Sequence, residues 1–85
     1  MNQYAILARN HWRTQLRHRY RALTDPDAFF SQLGEDTEQA IEELARTLAG
    51  NPPPGETYLQ RVQRLTMARF DAESQTVRGR LTTTA

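Results

Sequence analysis

Residues 24–50 read TDPDAFFSQLGEDTEQAIEELARTLAG, and this stretch decides the fold. Pro26 disfavours helical geometry at Asp25 and is itself suited to the first position of a helix. Asp25, or Thr24 with Asp27, can accept the free N–H groups of the first turn, and Asp27 complements the positive end of the helix dipole. From there Phe30, Leu33, Thr37, Ile41, Leu44 and Leu48 recur at spacings of three and four, which is one face of an α-helix. Gly34 interrupts the run at a cost of roughly 1 kcal/mol relative to Ala. A single helix over 26–49 is favoured over two short ones. Gly50 ends it, and Asn51-Pro52-Pro53-Pro54-Gly55 is the clearest loop in the chain.

The same periodicity extends to both sides. Upstream, Ala5, Ala8, Trp12, Leu16, Tyr20 and Leu23 draw an apolar stripe along a helix expected over about 3–23. Downstream, a third helix is expected over about 56–78, with Thr57 and Gln60 at capping-box spacing. Leu59, Val62, Leu65, Ala68 and Ala72 would form its inner face, flanked by Tyr58, Met67 and Phe70. Residues 81–85 read as a frayed tail. No strand-like alternation and no internal repeat occurs. The expectation is therefore an all-α single domain over 1–80: a helical hairpin plus a third helix. A coiled-coil-like dimer through the second helix is the alternative.

At 85 residues the chain has room for one small core. No apolar run approaches the roughly 20 residues that span a bilayer, and the N-terminus lacks the apolar core of a secretory signal. A cytoplasmic location is expected, with no membrane partner. Cysteine is absent, which excludes disulfides and thiolate chemistry.

The net charge of +1 conceals a strong asymmetry. Residues 1–24 carry five Arg and no acid, residues 25–50 seven acids and one Arg, and residues 51–85 five Arg and three acids. Arg9, Arg13, Arg17 and Arg21 stand four apart, so they line one side of the first helix, bordering the apolar stripe. Arginine and aromatic residues dominate binding hot spots, and this helix offers both in Trp12 and Tyr20. Arg9, Trp12, Arg13, Arg17, Tyr20 and Arg21 are therefore the candidate partner-binding residues. The plainer reading pairs the arginines with the acidic second helix, Arg17 and Arg21 near Asp27 and Arg9 near Glu42 and Glu43. A nucleic-acid interface is the alternative use of the same line, aided by Arg61, Arg64 and Arg69 on the third helix. The sequence pI of 8.3 falls short of the value above 9 usual for such domains.

Catalysis is not expected. There is no Gly-rich phosphate loop, no metal-binding His/Glu motif and no nucleophile elbow. His11 and His18 are seven apart, about 10 Å along a helix axis, too far for one ion without other ligands. The carboxylates Glu35, Asp36, Glu38, Glu42 and Glu43 diverge along one helix. No catalytic residue, cofactor or metal is assigned.

Several segments carry a resemblance: Leu7-Ala8-Arg9-Asn10-His11-Trp12, Tyr20, Asp25-Pro26-Asp27-Ala28-Phe29-Phe30, Leu33-Gly34, and Pro54-Gly55-Glu56-Thr57-Tyr58-Leu59 with Val62. In this order they resemble small helical proteins of actinobacterial mobile elements, of plasmid, transposon or phage type. The resemblance implies a cytoplasmic accessory of such an element and transfers no catalytic residue. Together with the charge pattern it leads to a non-catalytic helical regulatory protein that docks on a larger protein, a mobile-element or host-defence component.

Overall fold

The computed structural model describes residues 1–80 and is all-helical there. Four helices follow in order: α1 (Gln3–Gln15), α2 (Arg17–Arg21), α3 (Pro26–Ala49) and α4 (Tyr58–Arg80). The starts of α1, α3 and α4 are each set by a side chain, while α2 follows Leu16 with no side-chain cap. The Asn2 Oδ1 accepts from the Ala5 N–H at 2.9 Å and caps α1. Asp25 accepts from the Ala28 N–H at 3.2 Å ahead of Pro26 and caps α3. Thr57 and Gln60 form the reciprocal capping box at α4: the Gln60 N–H donates to Thr57 Oγ1 and the Thr57 N–H to Gln60 Oε1. Gly50 ends α3 with φ +63°, a left-handed conformation that glycine adopts without strain.

Three helices were expected and four are present, because the first one breaks. Leu16, with φ −128° and ψ 51°, separates α1 from α2. On either side of the break Trp12 and Tyr20 both pack on Phe30, which is 5.6 Å from Trp12 edge-on and 6.1 Å from Tyr20 in a stacked pose.

α3 runs unbroken through Gly34. This glycine is buried, and a Cβ there would strike the Asn2 side chain and approach the Ala5 Cβ to 2.9 Å. It is the point where the start of α1 lies directly on α3. Since Trp12 packs on Phe29 and Phe30, α1 lies antiparallel to α3 across its first half. The core gathers Tyr4, Ala5 and Ala8 from α1, Phe30 and Ile41 from α3 and Ala72 from α4. Alanine at three of these positions lets the helices come close. Buried Thr37 satisfies its hydroxyl by donating to the Leu33 carbonyl at 2.7 Å.

α4 runs back along α3 as the third long helix of the expected arrangement. Its inner face is only half as expected. Ala68 and Ala72 are buried, but Leu59 is 64% exposed, Val62 39% and Leu65 43%. At the same end of α3, Leu48 is 44% exposed. The reason is length: α1 covers the first half of α3 and the second half of α4, and nothing among the described residues covers the rest. The molecule is correspondingly long, 54 × 20 × 16 Å. The expected tail at 81–85 lies outside the described residues.

Candidate docking face

The break at Leu16 shapes the candidate site. Arg17, Tyr20 and Arg21 on α2 come together with Arg13 on α1 around one shallow concavity of about 260 Å³. The Arg13 guanidinium lies over the Tyr20 ring at 6.0 Å from its centroid, a cation–π arrangement. The other face of Tyr20 is committed to Phe30, so the ring is a fixed, half-buried platform. Arg13, Arg17 and Arg21 are exposed. Among the described residues they make no ion pair with the acidic α3.

The remaining candidates sit apart from this concavity. Arg9 is half-buried and reaches the Met1 sulfur at 3.8 Å; its Nε is buried without a hydrogen-bond partner. Trp12 is half-buried between Phe29, at 5.1 Å, and Phe30. Phe30 is fully buried and Phe29 lies at the surface, so the adjacent pair divides between core and rim. Six candidates thus separate into a cationic group of four and two residues that belong mostly to the fold.

The expected intramolecular pairing took another form. The α3 carboxylate Glu38 is held by Arg69 of α4 at 2.9 Å, not by the first helix. Arg69 also donates to the Tyr4 hydroxyl at 3.4 Å, and that hydroxyl donates to Glu73 Oε2 at 2.8 Å. Burial, then the bond to Glu73, raises the Tyr4 phenol above its ordinary value. This chain of four side chains ties α1, α3 and α4 together. Its members lie 31 to 69 residues apart, so nothing in the local sequence announces it.

Arg64 is committed as well. It grips Glu56 through two nitrogens, at 2.7 and 3.2 Å, and donates to the Ala49 carbonyl at 2.7 Å. The hydrogen bond from Arg64 holds the Glu56 carboxyl below the ordinary glutamate range. The pair closes the proline loop onto the end of α3. Of the three α4 arginines considered for phosphate contact, Arg64 and Arg69 are therefore structural.

His11 is half-buried and His18 exposed. Among the described residues no group of three or more His, Asp or Glu side chains is placed to hold a metal ion, and no helix is long and apolar enough to cross a membrane. No protein-family model, curated protein or solved structure matches the chain.

Proposed function

We propose that this chain is a non-catalytic regulatory protein that docks on a larger protein through the α1–α2 elbow. One observation supports this reading above the others: three exposed arginines and the Tyr20 ring line one concavity, and among the described residues Arg13, Arg17 and Arg21 make no ion pair. Arginine forks match carboxylates in planar, two-pronged contacts, so the complement is an acidic surface on the partner. Arg13, Arg17, Tyr20 and Arg21 are the contact group, with Trp12 and Arg9 behind it. The resemblance to mobile-element proteins directs the search to a cytoplasmic partner in such an element or in host defence.

A nucleic-acid accessory is the second reading, since the same unpaired arginines and ring would suit a phosphate strand. Two facts weigh against it. Arg64 and Arg69 are already paired, and α3 presents Glu35, Asp36, Glu42 and Glu43 at the surface. Titration against duplex and single-stranded nucleic acid at low and moderate salt separates the two. The docking reading expects no binding tighter than the non-specific range, about 10⁻⁴–10⁻⁶ M at physiological salt. Tighter binding that collapses with salt and is lost in an Arg13→Glu, Arg17→Glu variant would replace it with the second.

A further inference from the structure

We propose that the uncovered half of the α3–α4 hairpin is the seat of a second copy of this chain, forming a two-fold dimer. The surface lies at the opposite end of the hairpin from the α1–α2 elbow and is independent of it.

The sequence first marks these residues as interior. Leu59, Val62 and Leu65 continue the row of Ala68 at spacings of three, and Leu48 continues the row of Ile41 and Leu44. Rows of this kind are the ridges by which helices pack on one another. In the monomer the rows are buried only where α1 lies over them. Past that point the same rows emerge at the surface, and Tyr58 adds to the exposed apolar area.

The exposed area is large enough for a protein-sized occupant. A compact monomer of 9.8 kDa exposes about 5,200 Å². This chain exposes 6110 Å². The excess of about 900 Å² is close to the ~800 Å² per partner that an ordinary two-protein interface buries. A radius of gyration of 16.1 Å, against about 12 Å for a compact chain of this length, reflects the same uncovered half.

Charge selects a copy over a charged stranger. Residues 41–68 hold three acids, Glu42, Glu43 and Glu56, and three arginines, Arg46, Arg61 and Arg64, so this half has no net charge. It does not repel itself. A two-fold axis brings the same patch of each subunit together, so Glu42 and Glu43 of one can face Arg46 or Arg61 of the other. Two hairpin ends meeting face to face make a short four-helix bundle, the arrangement in which apolar rows of this length are normally closed.

The test is the solution mass of the full chain by light scattering across a wide dilution series. A Leu59→Glu, Val62→Glu double variant is measured alongside. Both positions are exposed in the monomer, so the substitutions leave its core intact. The expected result is twice the 9.8 kDa of one chain for the native protein and a single chain for the variant, with helicity unchanged. A native protein that stays monomeric throughout overturns the proposal. So does a variant that remains dimeric, since the contact would then lie elsewhere. If the double variant loses helicity, Leu59→Glu alone, at the more exposed of the two positions, is read in the same way.

Discussion

At the scale of single residues, Gly34 and Glu56 make the sharpest claims. In an exposed helix, replacing glycine by alanine stabilises by about 1 kcal/mol. At Gly34 the sign should reverse, because a methyl group would push Asn2 and Ala5 of α1 away from α3. The expected loss for Gly34→Ala is about 1–3 kcal/mol, the usual cost of overpacking, read from the urea midpoint. A midpoint that rises would mean α1 is not seated there. Glu56 gives a pH dependence. Its carboxyl is held low in the folded protein by Arg64. Its contribution is therefore complete above the ordinary glutamate value, about 4.3. It disappears as pH falls further and Glu56 takes up a proton while still folded. Melting temperatures measured downward from neutral pH should fall along that limb, and Glu56→Gln should flatten it. An unchanged slope in the variant would show that the Arg64 pair does not close the loop in solution.

At the scale of helices, the separation of docking residues from structural ones can be measured directly. Arg13 and Arg17 make no ion pair among the described residues, and the variant gives up only the exposed contact of Arg13 with the Tyr20 ring, so Arg13→Glu with Arg17→Glu should cost no more than about 1 kcal/mol. Trp12 is different, because its ring fills the corner between Phe29 and Phe30. Trp12→Ala should cost about 2–3 kcal/mol, below the roughly 3–5 of a fully buried aromatic. Binding lost in that variant would report folding as much as contact, whereas the arginine variant isolates contact. Thermal melts of the two variants side by side check both figures. Equal destabilisation would mean the arginines are part of the fold after all.

What was legible in the sequence follows the range of the interactions. Asp25 with Pro26, Thr57 with Gln60, and Gly50 act within one turn, and the helix ends they mark fall within two residues of expectation. The break at Leu16 was not legible, because residues 3–23 contain no proline or glycine to mark one. The fate of the arginines was hidden because it rests on contacts between residues distant in sequence. Arg69 finds Glu38 across 31 residues, and Arg64 reaches back eight residues to Glu56 just ahead of α4, so neither pair falls at the three- or four-residue spacing that local reading can match. The grouping of Arg13, Arg17 and Arg21 was legible as a line. Its curvature around Tyr20 was not.

At the scale of the whole molecule, the chain has two surfaces of opposite character at its two ends. One is a cationic elbow where, among the described residues, Arg13, Arg17 and Arg21 make no ion pair. The other is an apolar, charge-neutral hairpin end that a second copy would close. If that dimer forms, its melting temperature should fall on dilution, as mass action requires, while that of the Leu59→Glu, Val62→Glu variant should not. The dimer would present two elbows at once, and a partner with repeated acidic sites would then bind more tightly than one site allows. The measurement that bears most directly on the docking role is affinity capture from a nuclease-treated extract of the cells that encode the chain. Native protein and the Arg13→Glu, Arg17→Glu variant are immobilised in parallel. The expected result is a protein retained by the native chain at moderate salt and absent from the variant. The same retained proteins on both, or no protein retained by the native chain, would contradict a protein-docking elbow.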